Sequence, residues 1–180
     1  MRDLIQLLED KSKPQDIEII QLNFEPKELS PVLSVDTIDL HYGKLAHGYA
    51  ERYNKGEGDK EFNYAGAFLH NTLFPQFREV RNKNNPNGPM MGFINKHFGS
   101  YDNMKSQFET EAMKIQGSGW VYLATDGKIK TIKNHEVRND ILLLVDWWEH
   151  AWALDYQADK EGYLNNMWKI INWDVCNERL

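Results

Sequence analysis

What this sequence has little of narrows it first. Of its 180 residues one is cysteine, Cys176, so no disulfide can close within the chain and a reducing compartment is the default. Long apolar runs are missing: the longest uninterrupted aliphatic stretch is Ile141 to Val145, far too short to span a bilayer, and no membrane partner is expected. An excess of positive charge is missing as well. The chain has 21 Lys and Arg against 27 Asp and Glu, a formal charge of −6, which argues against a nucleic-acid binder with its basic face. The opening stretch, Met1 to Asp16, carries acid from position 3 and has no apolar segment. No secretory signal is read there, and a cytoplasmic location is expected. Repeats and low-complexity tracts are absent.

What is present is ordinary for a folded protein, with 41% apolar and 27% charged residues, except for the aromatics at 12%. Several of them stand beside histidines. Residues 1 to about 20 read as a polar-amphipathic extension. Ser34 is a candidate N-cap for a helix whose stripe is Val35, Ile38, Tyr42, Leu45 and Tyr49. The stretch 54–59, with two glycines and solvated charge, breaks it. A second helix from Phe62 to about Phe77 follows, striped by Phe62, Ala65, Leu69 and Leu73, so the two form an antiparallel hairpin. The turn-forming run 83–89 reads as a linker. Beyond it the pattern predicts short helices over 91–97 and 101–116, then strands at 120–124, 128–133 and 141–145. The Asp126-Gly127 pair makes a tight turn between the first two strands. Residues 162–177 read as helix. The fold class is α+β: an N-terminal helical hairpin domain over 21–86 and a C-terminal α+β domain with a three-stranded antiparallel sheet over 87–180.

The chemistry gathers at Asp146-Trp-Trp-Glu-His150. A carboxylate and an imidazole four residues apart at the end of an apolar strand need a partner or a metal if they are buried. Otherwise they form an exposed turn flanked by two core tryptophans. His41 and His70 each sit mid-helix among apolar residues, where a histidine is either a hydrogen-bonded core residue or a ligand. Three imidazoles and one carboxylate, brought together between two lobes, form a metal set with an open position.

His41-Tyr-Gly-Lys44, Gly117-Ser-Gly-Trp120 and Asp146-Trp-Trp-Glu-His-Ala151 resemble the signature segments of the iron/manganese superoxide dismutase family. Phe98-Gly-Ser-Tyr101 and Asn172-Trp173 add weaker matches in the same order. The resemblance covers about residues 21–180. It implies one Fe or Mn ion per subunit, with iron preferred, held between the lobes by His41, His70, Asp146 and His150. It implies conversion of superoxide to dioxygen and hydrogen peroxide, with Tyr49 at the mouth of the site and Trp120 and Trp148 as an aromatic wall. Glu149 corresponds to the glutamate that reaches across a twofold interface, so a homodimer is implied. Family members set a glutamine or histidine against the metal-bound solvent from one of two places. Here the helical place holds Gly66, and the other, the loop after the second strand, holds His135. His135 is expected to fill the space above Gly66, or else to be an ordinary turn residue.

Three departures from the family's pattern bear on function. Leu45 and Ala153 stand where most members pair a histidine and a tyrosine across the interface, and losing both polar partners together leaves neither unsatisfied. The loss puts the usual proton relay in doubt, and His47 points elsewhere on the helix. His41 and His70 are only 29 positions apart; the short hairpin favours a dimer over a tetramer. With a net negative chain and an anionic substrate, a local cation is needed, and Lys44 is the candidate. The alternative is a metal-binding dimer on the same scaffold with weak or lost dismutase activity.

Overall fold

The computed structural model describes residues 15–180; the first part of the extension read over 1–20 lies outside them. Its described part is not loose. Residues 17–20 run extended along the helical hairpin, held by two asparagine side chains that act as strand partners. Asn54 receives Ile17 N–H at 2.9 Å and donates back to Ile17 C=O. Asn71 receives Ile20 N–H at 3.0 Å and donates to Glu18 C=O at 2.8 Å. Ile19, within this strap, is buried.

Ser34 caps helix α1 by accepting a hydrogen bond from Thr37 N–H. Helix α1 spans 35–55 and changes its winding midway: it is α-helical over Val35–Ile38, π-helical over Asp39–Ala46 and α-helical again over His47–Lys55. The wider π step carries the inner face from His41 to Ala46, not to residue 45. Buried positions are therefore Thr37, Ile38, His41, Ala46, Tyr49 and Ala50. This corrects the regular stripe expected from the sequence: Val35 is exposed, and Tyr42 and Leu45 are half-buried. Gly56, left-handed at φ 70°, ends α1. Asp59 then starts α2, Lys60–Leu73, by accepting from Phe62 N–H.

A 3-10 turn, Phe74–Gln76, leaves α2. The run 83–89, read as a linker, is fastened by its asparagines. Asn84 donates to Trp168 C=O and Ile171 C=O and accepts from Trp173 Nε1. Helix α3, Gly88–Phe98, begins three residues earlier than the apolar pattern indicated because Pro89 is tolerated in a first turn. Helix α4 is Tyr101–Met113. The sheet has order β2-β1-β3, all antiparallel, with β1 Gly119–Ala124, β2 Ile129–Lys133 and β3 Ile141–Asp146. Gly127 at φ +77° makes the tight turn between β1 and β2. Both β1 and β3 are buried along their whole length, with α2 against β3 and α4 against β1 and β2. The C-terminal stretch is not one helix: α5 Ala153–Tyr156 and α6 Lys160–Met167 precede a 3-10 turn at Trp168–Ile170 and α7 Trp173–Glu178. The interruption lets Ile171 pair with Phe77 as an isolated bridge.

Two side chains, one buried and one half-buried, fasten the hairpin to the sheet. Gln76, fully buried, pairs with both main-chain groups of Leu144: Oε1 accepts from its N–H at 3.1 Å and Nε2 donates to its carbonyl. Arg179 donates to Gln76 Oε1, to Leu142 C=O and to Thr72 C=O.

Candidate metal centre

Four separate elements deliver four groups to one point. His41 comes from the π-helical stretch of α1, His70 from α2, Asp146 from the last position of β3 and His150 from the turn Glu149–Ala151. One donor atom of each lies within 4.8 Å of all the others. Asp146 Oδ2 is the hub: His41, His70 and His150 place Nε2 at 3.1, 3.8 and 3.3 Å from it. His41, His70 and Asp146 are buried, and His150 is nearly so.

Local bonds aim these atoms. His70 Nδ1 is 2.6 Å from Gly66 C=O. A carbonyl only accepts, so Nδ1 carries the proton and the Nε2 lone pair faces the cluster. Trp148 N–H donates to Asp146 Oδ1 at 2.8 Å, leaving Oδ2 for the imidazoles. Strand register sets Asp146 opposite Trp120, and Tyr163 Oη donates to the Asp146 carbonyl at 3.0 Å.

The electrostatics suit a cation. Burial holds the His41 and His70 imidazoles below their usual range, against the pull of Asp146, so both stay neutral. Burial alone would raise Asp146, but the His150 and His41 imidazoles outweigh it and the carboxyl is held well below its ordinary range. His41 Nε2 and His70 Nε2 are buried with no hydrogen-bond partner among the described residues. Orphaned imidazole nitrogens turned on one ionised oxygen leave a polar hollow that a positive ion would satisfy. Three imidazoles and one carboxylate fit iron or manganese, with room for a further ligand.

Aromatic rings close the side next to this cluster. His135 is stacked on Trp148 at 4.5 Å and lies 4.7 Å from the Phe62 ring and 4.8 Å from Tyr49. Trp120 Nε1 donates to His135 Nδ1 at 3.2 Å. Because indole only donates, the neutral His135 ring keeps its proton on Nε2, which is buried without a partner. Burial lowers this imidazole to about pKa 4. One expectation is corrected: His135 does not fill the space above Gly66. The Tyr49 ring does, since a Cβ at Gly66 would lie 2.8 Å from it. Burial, then Asp146, pushes the Tyr49 phenol up to about 12. Sequence reasoning missed Phe62 as a wall of this pocket; its helical stripe marked it only as core.

The other expected residues are dispersed. Lys44 is exposed on the π-helical stretch, and Glu149 is exposed beside His150 with no ion pair among the described residues. Leu45 and Ala153 are half-buried. His47 is exposed, with its ring 4.9 Å from Tyr42, away from the four-residue cluster. A cleft of about 790 Å³, lined by Phe62, Ala65, Lys133 and His135 among others, opens onto the His135 side.

Residues 86–179 match the family model described as the iron/manganese superoxide dismutases, C-terminal domain. The chain is 35% identical over 190 residues to the superoxide dismutase (Fe) of Bacteroides fragilis, covering 91% of this chain and 98% of that protein. The chain belongs to the iron/manganese superoxide dismutase family. The superoxide dismutase (Mn/Fe) of Porphyromonas gingivalis is 34% identical, with 90% of this chain and 98% of that protein covered. That of Sulfolobus acidocaldarius, named superoxide dismutase (Fe), is 30% identical, with 91% and 92% covered. The α+β layout of helical hairpin and three-stranded sheet is the architecture expected of this dismutase family from the sequence. No helix among the described residues is long and apolar enough to cross a membrane.

Proposed function

We propose that this chain is a superoxide dismutase, 2 O2•− + 2 H+ → O2 + H2O2, working at one iron or manganese ion held by His41, His70, Asp146 and His150. The observation that carries the reading is the pair of orphaned, neutral Nε2 atoms turned with His150 onto one ionised Asp146 oxygen. The bound ion supplies the one-electron exchange. The chain supplies the rest. Gly66 C=O and Trp148 N–H hold the tautomer of His70 and the aim of Asp146. Trp120, Trp148, Phe62 and Tyr49 pack around the His135 ring and hold it in place. His135 offers Nε2–H as a fixed donor to an oxygen acceptor in the centre and stays neutral in the working range, so it biases the centre's potential by hydrogen bonding. Tyr49 keeps its phenol proton and can pass it on. We take iron as the ion, with support from the names of the Bacteroides and Sulfolobus relatives.

Purified protein loaded with iron and assayed for superoxide consumption tests the reading; full occupancy without consumption would remove it. His135→Ala should keep its metal while turnover falls about 10–100-fold or the potential shifts; no change in either would make His135 a turn residue. We also propose a homodimer. Glu149, at the position that bridges subunits in the family the sequence resembles, is exposed beside His150. Glu149→Ala should weaken assembly and activity together in sedimentation and assay.

A further inference from the structure

The substrate is an anion and the chain carries a charge of −6, so the cations that stay free near the centre decide how it arrives. Many of the basic side chains are paired with acids: Lys55 with Glu51, Arg81 with Glu79, Lys105 with Asp102, Lys130 with Asp126 and Asp140, Arg138 with Glu136. Arg179 is spent on main-chain carbonyls and Gln76. Arg52 differs. Its guanidinium lies over the Tyr49 ring, 5.0 Å from the centroid. Nε donates to Asn63 Oδ1 at 3.0 Å, and Asn63 is itself buried and bonded to Glu57 C=O. Gly48 leaves the room: a Cβ there would stand 3.1 Å from Arg52 Nη1. No carboxylate pairs with Arg52 among the described residues, and of its five N–H donors only Nε is engaged.

Three independent features thus build a seat for this side chain: a glycine shelf, a buried amide anchor and an aromatic face. The seat holds the positive charge still and leaves the outer fork open. Lys44 and Arg52 are both exposed, but Lys44 has no anchor among the described residues. Tyr49 connects the seat to the centre, since its ring is 4.8 Å from His135 and 5.5 Å from His70.

We infer that Arg52 is an approach site for small monovalent anions, collecting superoxide at its open fork beside Tyr49 before it reaches the centre. This rests on the dismutase reading for its substrate, though not for its chemistry as an anion site. A pre-ordered guanidinium loses little side-chain freedom when an anion arrives. Its contribution is mainly to association, so it belongs in kcat/KM and in salt dependence more than in the saturated rate.

The test compares metal-loaded wild type, Arg52→Gln, Arg52→Lys and Lys44→Gln. Superoxide kinetics across ionic strength give one readout; azide titration followed by absorbance gives a second that needs no turnover. Arg52→Gln should lower kcat/KM about three- to tenfold at low salt, a larger factor than any fall in kcat, flatten the salt dependence and weaken azide binding by a similar factor. Arg52→Lys, which keeps the charge without the planar seat, should fall between. Metal content, measured on each sample, separates these effects from misfolding. Wild-type salt dependence and azide affinity in Arg52→Gln would overturn the inference, the more plainly if Lys44→Gln removed both. If loaded wild type consumes no superoxide, the dismutase reading falls while the azide arm still decides Arg52: weaker binding in Arg52→Gln upholds an anion site, and equal binding removes it.

Discussion

The helical hairpin and the sheet each give two groups to the same point, by different means. In the hairpin, His41 and His70 are aimed by local backbone geometry, a π-helical stretch in one case and a carbonyl one turn away in the other. In the sheet lobe, Asp146 is aimed by strand register and a neighbouring N–H, and His150 follows in a turn tied to it. Local winding can shift by one residue at small cost, whereas register is fixed along a buried strand by every residue on it. The hairpin half is therefore the adjustable half of the centre, and the sheet half is its reference.

That contrast can be broken most severely by acid. His41, His70 and His135 are held below the unfolded imidazole value of 6.5, the last at about 4. The unfolded chain then binds more protons than the folded one as pH falls below 6.5, so stability drops, by about 1.4 kcal/mol per pH unit for each imidazole. Metal-free protein should unfold between about pH 6 and 4, and metal should protect it. Chemical denaturation at stepped pH measures the slope; a flat stability across that range would contradict buried neutral imidazoles. Next in size is Gln76→Leu, which cuts the hairpin from its reference. It strands both main-chain groups of Leu144, about 1–3 kcal/mol for each. Unfolding midpoints should show the loss. Smallest is Gly66→Ala, confined to the hairpin, where a methyl 2.8 Å from the Tyr49 ring forces it aside at about 1–3 kcal/mol. Turnover should fall with metal content unchanged, since the Gly66 carbonyl that holds His70 is untouched.

The same contrast explains what was legible in the sequence. The Asp126-Gly127 turn, the apolar runs of β1 and β3 and the Ser34 cap are local signals, and each element lies where its residues indicate. The family resemblance, with three histidines and a carboxylate set among apolar residues, pointed to the four residues that meet. What could not be read depended on contacts far apart in the chain. Nothing in the run around Gly66 tells that a tyrosine from the other helix covers it. Asn54 and Asn71 look like surface amides until the strap lies across them. A 3.6-residue period is blind to a π step, so it set Val35 and Leu45 inward and missed Ala46. Gln76 pairs with Leu144 across 68 positions, and no periodicity encodes that.

The π-helical stretch has one last implication, for lineages and for engineers alike. Deleting a single residue near Gly43 would let α1 wind regularly throughout, and everything before the cut would swing by about 100°. The helix would come out better bonded, and His41 would leave the centre. Regularity and chemistry are set against each other at one position, so a stabilising edit chosen on helix quality alone would empty the protein of its purpose.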